Sequence, residues 1–214
     1  MSDHGSIDVI NVTAWLDAQI EGARGPYTFD LIAGGHSNLT FGVQDAADNH
    51  FVLRRPPLGH VLASAHDMSR EHRIISGLQN SPVPVAPALG FCDDLDVNGA
   101  PFYVMSYVDG NVVHDLDEAR STLSVEARDN ASRSLVDTMA TIHSVDLDAT
   151  GLTDLGRHEG YISRQLKRWY IQWNQGKTRE LEAVDRVHAA LAARIPDQGP
   201  ATIVHGDYRL DNCM

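Results

Sequence analysis

The apolar residues of this chain change their spacing near Gly110, and that switch limits the architectures open to it. Before Gly110 the chain is strand-rich: Tyr27-Thr-Phe-Asp-Leu-Ile32 alternates apolar and polar, as a half-buried strand should, Leu39-Thr-Phe-Gly-Val-Gln44 returns as a second strand, and Phe51-Val-Leu-Arg54 is a third. Polar turns at Gly34 to Asn38 and Asp45 to Asn49 separate them, and Pro56-Pro57 closes the third, so a three-strand meander is predicted. Two more short strands are expected over Ala88 to Cys92 and Phe102 to Tyr107, with the turn Asp93 to Gly99 between them. Short helices are predicted over Thr13 to Ile20 and Ser64 to Gln79. In the second, Ser64 with Asp67 forms a capping box, and Gly77 with Asn80 marks the fraying end. After Gly110 the period becomes helical: Ala131, Leu135, Met139 and Ile142 form a stripe within Ser124 to Val145. Glu159 to Trp173 and Arg179 to Ile195 continue the helical half, and Ala201 to Val204 reads as a short buried strand. Segregated elements of this kind give an α+β fold, divided into lobes at 1–106 and 107–214.

Charge narrows the partners. Lys and Arg total 17 against 29 Asp and Glu, a net charge of −12, which repels phosphate backbones and argues against a nucleic-acid or anionic-membrane partner. A small phosphate ligand held by a few local cations remains compatible. Apolar runs fall far short of the ~20 residues that span a bilayer, and Met1 to Gly25, with Asp3, Asp8, Asp17 and Glu21, is no secretory signal. The two cysteines, Cys92 and Cys213, lie far apart without zinc spacing, as in a reduced, cytoplasmic protein. Gly176-Lys177-Thr178 lacks the earlier glycine of a P-loop and follows a helix; a helix-to-helix turn is the better reading. There is no GxGxxG, and His158-Glu159 is not completed to a zinc-protease motif.

Three features carry chemistry. His205-Gly-Asp207-Tyr-Arg-Leu-Asp-Asn212 has the spacing of a kinase catalytic loop, in which a carboxylate takes the proton of an attacking hydroxyl and a neutral amide oxygen helps to hold Mg²⁺. Met68, Glu71, Ile75 and Leu78 share a helical stripe, so Glu71 sits on an apolar face and needs a partner. Arg54, ending the third strand, offers one. Gly34-Gly35-His36-Ser37-Asn38, between two strands, lets backbone N–H groups approach phosphates. His143 and His188 fall on helical apolar stripes and are expected to be hydrogen-bonded core histidines. Trp169 and Trp173 with Ile162 and Leu166 are expected to form a packing face, and Arg164, Lys167 and Arg168 a solvated one.

The order hairpin loop, strand cation, helix glutamate, Tyr103-Val-Met-Ser-Tyr-Val-Asp-Gly110 and His-Gly-Asp-x-x-x-x-Asn resembles the aminoglycoside phosphotransferase and choline kinase family. Val52-Leu-Arg-Arg-Pro-Pro57, Ser69-Arg-Glu-His-Arg73 and Trp169-Tyr-Ile-Gln-Trp173 resemble its branch associated with acyl-CoA dehydrogenases. The resemblance implies a two-lobed protein-kinase-like fold, with a β-rich N-lobe that binds nucleotide and an incomplete helical C-lobe. It implies Asp207 as catalytic base, Asn212 as a Mg²⁺ ligand, Arg54 as phosphate cation and Glu71 as its orienter. Gly35, Ser37 and Asn38 would approach the phosphates, and Met105, Ser106, Tyr107 and Val108 would form the hinge along which adenine lies. The implied activity is transfer of the γ-phosphoryl group of ATP or GTP to the hydroxyl of a small molecule, either a hydroxyacyl compound or an antibiotic-like one. A pseudokinase regulator is the alternative, and Gly206 speaks against a protein kinase. Two departures stand out: the strand cation is arginine where many members have lysine, and the family's second metal-binding Asp and closing helices do not occur by Met214. Residues 1–214 alone are therefore expected to be catalytically silent.

Overall fold

A computed structural model describes residues 6–33, 38–57 and 67–214. In chain order it contains α1 (Val9–Gln19), β1 (Thr28–Ala33), β2 (Leu39–Gln44), β3 (His50–Arg55), α2 (Met68–Leu78), β4 (Ala88–Cys92), α3 (Leu95–Asn98), β5 (Phe102–Ser106), α4 (Leu116–Thr122), α5 (Val125–His143), α6 (Tyr161–Gly176) and α7 (Glu182–Ala192). Single 3₁₀ turns follow at Thr153–Leu155 and Leu210–Asn212. The strands form one antiparallel sheet in the order β1-β2-β3-β5-β4, so the predicted meander and both later strands are present.

Strand alternation gives the sheet two different faces. Phe41, Leu53 and Val104 lie opposite one another across β2, β3 and β5 and are fully enclosed, together with Val12 and Leu16 of α1. Trp15 meets the edge of Phe102 at 4.9 Å between centroids. Each such side chain contributes roughly 1.5–3 kcal/mol by leaving water. Arg55 points to this face. Buried, its guanidinium bonds the carbonyls of Ser6, Pro56 and Asn98, and burial lowers its pKa. Its neighbour Arg54 emerges on the opposite face, towards α2. One residue of register thus gives two adjacent arginines different environments.

The β2–β3 turn is built on Asp45, whose carboxylate accepts the N–H groups of Arg24, Ala47 and Asn49 and the Asn49 side-chain amide at 2.8–3.1 Å. Burial alone would raise this carboxyl, but those four donors outweigh it and hold it at about 2. A pKa held below the ordinary ~3.9 stabilises the fold above that value, and the contribution is lost as pH falls from about 4 towards 2. The melting temperature should therefore drop over that window, and Asp45→Asn should blunt the drop. An unchanged acid limb in the variant would remove Asp45 from the account.

α2 starts at Met68 because Asp67 caps it, accepting the Arg70 N–H at 2.9 Å; the predicted cap Ser64 lies outside the described residues. α2 ends at Leu78, between Gly77 and Asn80, as predicted, and Gly77 has a second use. A Cβ there would come within 2.8 Å of the Thr150 carbonyl and 3.0 Å of Leu152, so the glycine lets α2 lie directly on the 146–155 segment of the helical lobe. Arg73 reinforces this contact by pairing with Asp154 and donating to the Gly151 carbonyl at 2.9 Å, and Arg70 donates to the Leu155 carbonyl at 2.6 Å. A second core, Leu78, Val83, Ile142 and Leu152, with Ile203 and Tyr208 packed against it, joins the two lobes.

Several expectations are corrected. Residues 201–204 form no strand, and Val204 is 69% exposed; the strands pair with one another in the other lobe, which leaves no ladder beside this segment. The 93–99 turn contains α3. His143 is exposed, whereas His188 is half-buried and stacks on Tyr170 at 3.9 Å. Trp169 is 62% exposed: α6 packs on α7 and turns Trp169 outward, where Arg168 lies over its ring, so Trp169 does not join a packing face. Among the described residues no helix is long and apolar enough to cross a membrane.

Candidate active site

The His-Gly-Asp loop folds tightly. Gly206 has φ of +89°, a conformation that L side chains rarely adopt, which accounts for glycine between His205 and Asp207. The Asp207 N–H donates to His205 Nδ1 at 3.4 Å. Leu210–Asn212 then curls back so that Asn212 Nδ2 donates to Asp207 Oδ2 at 2.8 Å and to the Asp207 carbonyl at 2.9 Å. The two residues singled out from spacing are therefore in direct contact. With its NH₂ group turned to Asp207, Asn212 keeps its amide oxygen for another partner. Tyr208 anchors the loop from below, donating to the Leu135 carbonyl of α5 at 2.8 Å. The Asp207 side chain stays 71% exposed, and Arg209 lies 3.6 Å from one of its oxygens while bonding Asp211 at 2.8 Å.

The second cluster joins sheet to helix. Arg54 Nη1 is 3.4 Å from Glu71 Oε2, and each side chain is 31% exposed. Tyr103 lies opposite Arg54 in the β3–β5 register, and its hydroxyl donates to Glu71 Oε2 at 3.1 Å while accepting from Arg54 Nη1 at 3.3 Å. Asn38 Nδ2 donates to the other Glu71 oxygen at 2.6 Å, so the buried Asn38 side chain supports the glutamate. Burial first, and then the Glu71 charge against the opposing pull of Arg54, raises the Tyr103 phenol well above its usual pKa. Gly35 and Ser37 lie outside the described residues.

Met105, Ser106, Tyr107 and Val108, the predicted hinge, run from the end of β5 out of the sheet. Ser106 N–H bonds the Pro87 carbonyl at 2.9 Å and Tyr107 N–H the His50 carbonyl at 3.4 Å, while Tyr107 and Val108 become exposed. A cavity of about 1360 Å³ lies behind the catalytic loop, among Ile74, Leu78, Leu135, Ile142, Ile203 and Tyr208. Arg54, Glu71 and Asp207 do not line it, but Val108, His205, Gly206 and Asn212 do, so this mainly apolar hollow between α2 and α5 reaches the His-Gly-Asp loop. Among the described residues no three His, Cys, Asp or Glu side chains gather to hold a metal unaided. Mg²⁺ commonly takes one or two protein oxygens together with phosphate oxygens, and the Asn212 amide oxygen fits that role.

Sequence reasoning missed Tyr103, Tyr208 and Arg209. For Tyr103 the signal was present in strand parity, since it shares a face with Met105 and faces the Arg54 strand.

A family model described as the phosphotransferase enzyme family matches residues 28–214. Acyl-CoA dehydrogenase family member 10 of Mus musculus is 37% identical over 192 residues, covering 90% of this chain and 18% of that protein. Family member 11 of Rattus norvegicus is 32% identical, covering 97% and 27%. The chain thus spans about a quarter or less of these relatives. Among solved structures, a provisionally assigned aminoglycoside phosphotransferase from Ralstonia eutropha superposes with a TM-score of 0.82 at 32% identity, covering 97% of this chain and 60% of that one. The GDP and kanamycin complex of APH(2")-IIIa, at TM-score 0.62 and 13% identity, covers 94% of this chain and 66% of that one and shares the fold. With the matched family model spanning the sheet, α2 and the His-Gly-Asp loop, the chain belongs to the phosphotransferase enzyme family and has the two-lobed, protein-kinase-like α+β fold of the aminoglycoside phosphotransferases.

Proposed function

We propose that the chain is the phosphoryl-transferring part of a cytoplasmic small-molecule kinase, using ATP or GTP and acting on a hydroxyl group. The observation that carries this reading is the contact between Asp207 and Asn212 on an exposed loop of a phosphotransferase-family chain. Residues 1–106 form the nucleotide lobe and 107–214 the part carrying the catalytic loop. Asp207 accepts the proton of the attacking hydroxyl as its oxygen bonds to the γ-phosphorus and the nucleoside diphosphate leaves. Arg54 contacts the α- and β-phosphates, Glu71 orients it, and residues 105–108 border the base. Asn212 would hold Mg²⁺ through its amide oxygen; when bound, the ion neutralises charge on the phosphates. Rate then comes from positioning and electrostatics. The mouse and rat relatives are named acyl-CoA dehydrogenase family members, which points to an acyl-bearing hydroxyl compound as acceptor, and the Ralstonia eutropha structure is provisionally named an aminoglycoside phosphotransferase, which points to an antibiotic-like one.

The test is calorimetric titration with ATP and GTP in Mg²⁺, followed by phosphate transfer to a panel of hydroxyacyl and antibiotic-like acceptors, in a chain extended past Met214 to supply the second metal-binding Asp and the closing helices that the family resemblance implies. Binding with transfer is the expected result. Absence of binding overturns the reading, and binding without transfer to any acceptor favours a pseudokinase.

A further inference from the structure

Arginine at the strand-cation position poses a problem that lysine does not. An ammonium is a compact point charge, whereas a guanidinium has three nitrogens, and the edge it presents depends on how the plane is turned. Here two of the three are occupied or enclosed. Nη1 reaches Glu71 Oε2 and the Tyr103 hydroxyl. Nε is buried and, among the described residues, has no hydrogen-bond partner. The outer edge that remains is Nη2.

Tyr103 is placed to set that orientation. It is 2% exposed on β5, directly opposite Arg54, and has Glu71 above it. A phenol enclosed in this way needs a partner, and it finds both a carboxylate acceptor and a guanidinium donor. The ring is held by His72, whose own ring stacks on Phe91 at 5.4 Å between centroids and lies 6.2 Å from Tyr103. Burial lowers the His72 pKa, so it adds no cation that would compete with Arg54 for Glu71.

We infer that Tyr103 is a positioning residue whose hydroxyl, lodged between Glu71 and Arg54, turns the guanidinium so that its Nη2 edge faces the nucleotide phosphates. The inference rests on the nucleotide-binding reading above. It implies that Tyr103 matters because residue 54 is arginine, and would matter little beside a lysine.

The experiment measures affinity for ATP and for adenosine by calorimetry in the unmodified protein, Tyr103→Phe, Arg54→Lys and the double variant. Tyr103→Phe keeps the ring and removes only the hydroxyl. It should weaken ATP roughly threefold to tenfold, the worth of one hydrogen bond, and leave adenosine within about twofold. In the Arg54→Lys background the same change should cost less than about twofold, because the two effects are coupled. The ratio of the two affinities is internal to each sample, so general damage to the fold, which lowers both together, overturns the positioning role. Equal ATP losses in the two backgrounds overturn it as well. Unmodified protein that binds ATP as Tyr103→Phe does sinks this inference alone; unmodified protein that binds no nucleotide sinks the phosphotransferase reading with it.

Discussion

Asp207→Asn should lower phosphoryl transfer roughly a hundredfold to ten-thousandfold, the usual contribution of a general base. Nucleotide affinity should stay within about threefold, because the change acts on the chemical step and not on ground-state binding. The geometry makes this substitution clean. Asparagine retains an oxygen that can accept from Asn212 Nδ2, and the loop is held independently by Tyr208 on the Leu135 carbonyl. Turnover is followed as nucleoside diphosphate release with the best acceptor, in the chain extended past Met214, since residues 1–214 alone are expected to be silent. A variant that turns over like the parent would show that Asp207 takes no proton.

The second large effect is expected at Glu71. Its carboxylate receives Asn38, Tyr103 and Arg54, so Glu71→Ala strips three groups of an acceptor at once. A fully buried loss of this kind would cost ~3–5 kcal/mol; with the pair about a third open to solvent, ~2 kcal/mol is the better figure. Nucleotide affinity should fall with it, as Arg54 loses its orienter. Arg54→Ala should weaken binding too, and the double variant should cost about 1 kcal/mol less than the two singles summed. Denaturant titration reads the stability part and calorimetry the binding part. Strict additivity in both would mean that the 3.4 Å contact carries no energy.

Much of this was legible before any coordinates, for identifiable reasons. β1 and β2 announced themselves by alternation, β3 by a short apolar run closed by Pro56-Pro57, and all three by the turn residues between them, which are local signals, and the strands formed where expected. Glu71 was found because a charge on an apolar stripe needs an explanation, and the explanation was its neighbour on the sheet. That Asn38 also donates to Glu71 was not foreseen, because whether an amide at a loop end meets a carboxylate depends on how α2 sits, which is a tertiary fact. Residues 201–204 misled because a short apolar run does not say whether a partner strand lies alongside. Gly77 marked the end of α2 at Leu78, but only the neighbouring chain shows that its missing Cβ also admits a carbonyl.

That last contact changes what the Arg54–Glu71 pair measures. α2 belongs by sequence to the strand-rich half, yet Gly77, Arg70 and Arg73 fasten it to the 146–155 segment beyond the hinge. The pair therefore joins the sheet to a helix that packs on β4 and β5 on one side and is fastened to the helical lobe on the other. A substitution that loosens the Arg73–Asp154 fastening is expected to reach Glu71 on the same helix, and through it the proposed phosphate cation Arg54, without altering either residue.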